Sequence, residues 1–152
     1  MFSLLKLLAW IAAALVSAWA FLRLLKRLMK KAPPKLPHEL ALEALEAARA
    51  EFAKTGDMKQ YYVNVSDAVR HYIETVFKLR APEMTTQEFL AGIGFSRKIS
   101  DVYKGLLKTF MEACDLVKFA KHAPSKPEVE EVFTTAKKFI EETKGEYPGV
   151  PV

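Results

Sequence analysis

The spacing of apolar residues changes character near residue 37. Ahead of it, residues 7–22, LLAWIAAALVSAWAFL, form a sixteen-residue run without a charge. A helix that crosses a bilayer needs roughly 20 mostly apolar residues. Phe2 to Leu25 supplies that length when Lys6 and Arg23 stretch their stems toward the headgroups. The run therefore predicts one transmembrane helix. A cleaved secretory signal is the competing reading, because Ala18-Trp19-Ala20 has the small-x-small shape of a cleavage site. Three features oppose it. A single charged side chain, Lys6, precedes the run; apolar residues continue past the cut as Phe21, Leu22, Leu24, Leu25, Leu28 and Met29; and the basic cluster follows the run where a signal would place it before. An uncleaved, single-pass anchor is the expectation.

Beyond residue 37 the apolar period is helical throughout, with no strand-like alternation. His38 to Lys54 carries Leu42, Leu45, Ala48 and Phe52 on one face, and Gly56 suits a C-terminal stop. Asp57 can cap a helix to about Leu79 with the stripe Tyr62, Val65, Val69, Tyr72, Ile73, Val76 and Phe77. Thr85-Thr86-Gln87-Glu88 reads as a capping box, in which the hydroxyl and the Glu side chain each satisfy a free backbone amide. It opens a short helix holding Phe89 and Leu90, with Gly92 and Gly94 expected to end it. Ile99 to about Ala120 repeats Ile99, Val102, Leu106, Phe110, Ala113 and Val117, which places Phe110 in the core. Ser125-Lys126-Pro127-Glu128 is a second box, with proline where its missing amide costs nothing. The last helix carries Val129, Phe133, Ala136, Phe139 and Ile140 and stops at Gly145.

The expected fold class is thus all-α: one N-terminal transmembrane helix followed by a compact bundle of four longer helices and one short helix. Residues 1–31 form the anchor and its basic flank, 32–37 a Pro-rich linker, 38–145 the helical domain and 146–152 a loose tail. Three prolines, Pro33, Pro34 and Pro37, favour an extended, stiff linker. About 110 residues suffice for one core.

Charge sets the orientation. Arg23, Lys26, Arg27, Lys30, Lys31 and Lys35 follow the apolar run, and basic residues collect on the cytoplasmic side of a span. The expected placement is a bacterial inner membrane, single-pass, with the C-terminal domain cytoplasmic and a short outer N-terminus. Arg23, Lys26, Arg27, Lys30 and Lys31 would meet anionic lipid headgroups, at about 1 kcal/mol each near the surface. Residues 1–37 hold seven Lys/Arg and no acid, whereas 38–152 hold sixteen against eighteen Asp/Glu. The net +5 of the chain therefore resides wholly in the anchor segment. The domain lacks the positive field that nucleic acid would require, so no nucleic-acid partner is expected. One cysteine, Cys114, allows no internal disulfide and suits a small buried side chain.

Convergent catalytic chemistry is sparse, and no enzyme, cofactor or metal is expected. His71 and Glu74 stand three apart, a spacing that can hold a metal, but no second pair accompanies them. Cys114 with His122 lacks a third, orienting group. No Gly-rich phosphate loop is present. Two stretches mix aromatic and charged residues: Arg70-His71-Tyr72-Ile73-Glu74 with Thr85–Leu90, and Asp115-Leu116-Val117-Lys118-Phe119-Ala120-Lys121. Asp115 and Lys118 are spaced to pair on one face. Arg70, Glu74, Asp115 and Lys118 read first as ion pairs and caps between helices. Contact with a protein partner is the other reading, with Arg70, Glu74, Lys118 and Lys121 as the contact residues.

Tyr61-Tyr62, Arg70-x-Tyr72-Ile73-Glu74-x-x-Phe77, Ala81-x-Glu83-x-Thr85-Thr86-x-Glu88-Phe89-Leu90 and Asp115–Lys121 together resemble a bacterial family over residues 37–145. It is the cytoplasmic helical domain of Bat, or aerotolerance, membrane proteins, which are encoded beside MoxR-type AAA ATPases and von Willebrand A-domain proteins. With so few residues ahead of the expected span, no periplasmic region is expected, a departure from the family's larger members. The resemblance implies a noncatalytic, membrane-anchored accessory module working with a MoxR-type AAA ATPase and von Willebrand A-domain proteins. The alternative is a structural subunit acting through its transmembrane helix, where Ala9, Ala13 and Ser17 give a small face for a neighbouring helix.

Overall fold

The structure, a computed structural model, describes residues 6, 10, 15–23 and 35–146. The chain divides into two units, Met1–Pro34 and Lys35–Val152. In the first, residues 15–23 are helical, and the Arg23 guanidinium lies 4.2 Å from the centre of the Trp19 ring. Most of the expected anchor, with Lys26, Arg27, Lys30 and Lys31, lies outside the described residues, as does the tail from 147. Among the described residues no helix is long and apolar enough to cross a membrane.

The second unit is all-α, without a strand among the described residues. Its helices are α1 (Pro37–Thr55), α2 (Met58–Phe77), α3 (Thr86–Phe95), α4 (Asp101–Phe119) and α5 (Lys126–Thr143). Short 3₁₀ turns occupy Ala81–Glu83 and Lys144–Glu146. Four longer helices and one short one match the periodicity, and local chemistry explains their ends. Pro37 opens α1 at a position that needs no amide donor, and Glu39 accepts from the Leu36 amide at 2.9 Å. Gly56 takes a left-handed φ of +68° and returns its amide to Phe52 O at 2.8 Å, closing the α1–α2 turn. Asp57 accepts from the Gln60 amide at 2.9 Å. Thr85 and Glu88 form the expected reciprocal box, at 2.9 and 3.3 Å. At α5, Glu128 reaches back to the Ser125 amide at 2.7 Å and its hydroxyl at 2.6 Å. The Ser125 hydroxyl and amide, and then His122, hold the Glu128 carboxyl down at about 2.

Two expectations are corrected. Gly92 and Gly94 do not end α3, which runs on to Phe95. Each glycine costs a helix roughly 1 kcal/mol, and burial of Ile93 between them holds the turn in place. The inward stripe of α4 is also rotated. Val102 is 77 % exposed, while Leu107, Phe110, Met111, Cys114 and Val117 are buried. Ile99 is buried but precedes the helix, so its phase does not carry into α4. Leu106 and Ala113 sit at the edge of the true face, half-buried.

The core is a continuous aromatic and aliphatic cluster centred on Phe139. Its ring lies 6.0 Å from Tyr72, 6.3 Å from Phe77 and 5.8 Å from Tyr103, joining α5 to α2 and α4. Tyr72, Phe77 and Phe139 are buried and each contributes roughly 1.5–3 kcal/mol from burial, while Tyr103 packs on them half-buried. The Tyr72 hydroxyl shares a hydrogen bond with Thr143 Oγ1 at 3.0 Å, so its buried polar tip is satisfied. These contacts fix the ends of the bundle. Pro37 and Thr75 line one hollow, Phe77 meets Phe139, and the Tyr103 hydroxyl donates to Glu142. The start of α1, the end of α2, the start of α4 and the end of α5 therefore share one end. The α1–α2 turn, the end of α4 and the start of α5 share the other, where Val117 and Lys118 adjoin Met58 and Lys59 and the Tyr61 hydroxyl donates to Val129 O.

The rotated face of α4 is testable in the 35–146 unit. Phe110→Ala should cost roughly 3–5 kcal/mol in urea unfolding, and Val102→Ala should stay within about 0.5 kcal/mol of wild type. Equal losses would contradict this register.

Candidate functional site

Arg70 lies on the buried face of α2, yet it is a cation and only 6 % exposed. Its guanidinium reaches across to the segment that joins α2 to α3. Nη1 donates to Ala81 O at 2.9 Å and Met84 O at 2.8 Å, and Nη2 donates to Thr86 Oγ1 at 2.8 Å. The Phe89 ring packs against it, 5.1 Å from Cζ. Burial works against the charge, and Asp115 and then Asp67 offset part of that penalty. The planar fork suits the task, because one side chain satisfies three acceptors in fixed directions.

Above Arg70 opens a cleft of about 520 Å³. Asp67 and Arg70 come from α2, Pro82, Met84, Thr85, Thr86 and Gln87 from the joining segment and the first turn of α3, and Asp115, Lys118 and Phe119 from the last turns of α4. The two unusual sequence stretches, Thr85–Leu90 and Asp115–Lys121, thus meet around one hollow. Its rim holds Phe119, 75 % exposed, with Lys118 Nζ 5.5 Å from the ring centre. Lys118 also donates to Ser66 Oγ at 3.4 Å. No ion pair joins it to Asp115, although the spacing permits one: among the described residues the salt bridges are elsewhere. The cleft therefore combines an internally paired cation, two carboxylates, a rim lysine and an exposed aromatic ring.

The four residues expected at a partner surface separate. Arg70 forms the cleft floor and Lys118 its rim. Glu74 is half-buried on α2 and does not line the cleft; its carbonyl accepts the Lys78 amide at 3.0 Å. Lys121 is exposed with φ 56°, beside a different hollow with Met58, Lys59 and His122. The sequence reading missed Phe119, Asp67 and Thr86. An outward Phe119 was detectable, since it follows Lys118 off the inward stripe.

Other chemical candidates are dispersed. Cys114 is fully buried, and burial pushes its thiol up to about 12, which disfavours the reactive thiolate. His122 instead meets Glu128 Oε1 at 3.1 Å. His71 Nδ1 lies 2.8 Å from Asp67 O. Among the described residues no group of three His, Cys, Asp or Glu side chains converges as a metal site. The chain matches no protein-family model, no curated protein and no solved structure.

Arg70→Met should destabilise the domain by roughly 1–3 kcal/mol, because the part-buried Met84 carbonyl and Thr86 Oγ1 lose their donor and Ala81 O keeps the Met84 amide alone. Arg70→Lys should recover less than half of that loss, since one ammonium cannot span all three acceptors. Thermal and urea unfolding would measure both. Full rescue by lysine would show that charge, and not the fork, is what the site needs.

Proposed function

We propose that this chain is a membrane-tethered interaction module whose helical domain presents the cleft beside Arg70 to a protein partner. The observation that carries the reading is convergence. Two stretches about 25 residues apart in sequence build one open cleft with an exposed Phe119 and a rim lysine. Exposed aromatics beside cations are typical of residues that dominate binding energy. The apolar run at 7–22 supports the tether, spanning the bilayer as a single helix with the basic flank and the domain on the cytoplasmic side. Tethering confines the domain to a thin layer and raises its effective concentration for other membrane-bound proteins. The resemblance to the Bat group names the partner class: a MoxR-type AAA ATPase and its von Willebrand A-domain companions.

The test is recovery of that ATPase with the full-length chain from solubilised membranes. Lys118→Glu with Phe119→Ser should lower recovery roughly tenfold or more without altering the melting transition. Replacing residues 2–25 with an unrelated apolar helix should leave recovery unchanged. The opposite pattern, loss with the exchanged span and none with the cleft variant, would favour a structural subunit acting within the bilayer.

A further inference from the structure

The end of the bundle at which the chain enters carries a second unusual surface. Phe95, the last residue of α3, is 90 % exposed, and Val102 in the first turn of α4 is also turned to solvent. Between them Arg97 and Lys98 are exposed. Neither makes an ion pair with a described residue, whereas the nearby Lys104 is held by Asp101 at 3.0 Å. The α3–α4 connection is thus a projecting tip with an aromatic ring at its end and two unneutralised cations behind it.

Topology says what this tip meets. The start of α4 lies at the same end as Pro37, through the contacts of Tyr103 and Phe77 with Phe139. Eleven residues, 26–36, separate the end of the apolar stretch at Leu25 from Pro37, and such a linker reaches at most roughly 40 Å, so an anchored domain stays within reach of the headgroups. The domain is close to neutral overall, and this tip is where it gathers exposed cations beside exposed apolar side chains. Large apolar side chains flanked by Lys and Arg are what an anionic interface binds. Resting on the anchor reading, we infer that the tip formed by Phe95, Arg97, Lys98 and Val102 docks on anionic lipid, with Phe95 inserted among the headgroups. This contact sets the domain's orientation and turns the α1–α2 end and the Phe119 rim away from the surface.

The experiment uses the full-length chain reconstituted into vesicles of phosphatidylcholine with phosphatidylglycerol. A cysteine is placed at Gly94→Cys, where an added Cβ meets open space, or at Lys59→Cys near the opposite end. Each carries an environment-sensitive fluorophore, and buried Cys114 stays unlabelled. At 94 the emission should shift to the blue and be quenched by brominated lipid. At 59 it should respond to aqueous iodide alone. Adding Phe95→Ser, Arg97→Glu and Lys98→Glu should abolish the lipid quenching at 94 while the chain still floats with the vesicles. A floating chain whose label at 94 is as open to iodide as that at 59 overturns the tip contact and leaves the anchor standing. A chain that does not float overturns both.

Discussion

Three hydrogen bonds from Arg70 tie the segment between α2 and α3 to the buried face of α2, beside the apolar contacts of Ala81, Phe89 and Ile93. The core is one continuous cluster that takes in Ala81 and α3, and where the segment between α2 and α3 turns, the Ala81 carbonyl accepts the Met84 amide at 3.3 Å while that of Met84 turns to Arg70. A buried carbonyl without a partner costs about as much as a lost hydrogen bond. Arg70 supplies a donor to the Met84 carbonyl, a second donor to that of Ala81, and one to the Thr86 hydroxyl at once. Burying a cation is itself costly. Asp115 and Asp67 make it tolerable, and both carboxylates line the cleft. The element that completes the fold therefore also determines the shape and charge of the candidate site.

Much of the architecture is written locally. Gly56, Asp57, the Thr85–Glu88 box and the Ser125–Glu128 box mark helix ends through interactions among residues a few positions apart, and all appear close to where the pattern places them. What was not legible depends on distant partners. The face of α4 is chosen by how it packs on α2 and α5, so a stripe phased from Ile99, which lies outside the helix, pointed Val102 inward. Gly92 and Gly94 stay helical because Ile93 is buried. The cleft was half legible: Arg70, Lys118 and the two stretches stood out as mixed aromatic and charged sequence. That Arg70 forms the floor and Phe119 the rim depends on a juxtaposition of α2, α3 and α4 that periodicity does not encode.

The division of labour along the chain follows from its charge. The basic residues gather beside the apolar run, and the domain is close to neutral, which on the proposed account suits a module that recognises protein surfaces near a membrane. Among the described residues of the domain, two exposed aromatics stand apart: Phe95 close to the α1 start, Phe119 close to the α1–α2 turn. On the proposed account the first faces lipid and the second faces protein, so one bundle bridges the membrane surface and a partner.

The most direct measurement is photocrosslinking in intact membranes, with a photoreactive residue placed at position 119 of the full-length chain and the captured protein identified by mass spectrometry. The account predicts capture of a MoxR-type ATPase or an A-domain protein from position 119, and none from the buried position 139. Capture of such partners only from photoreactive residues within 3–25 would contradict it and assign the interaction to the apolar segment.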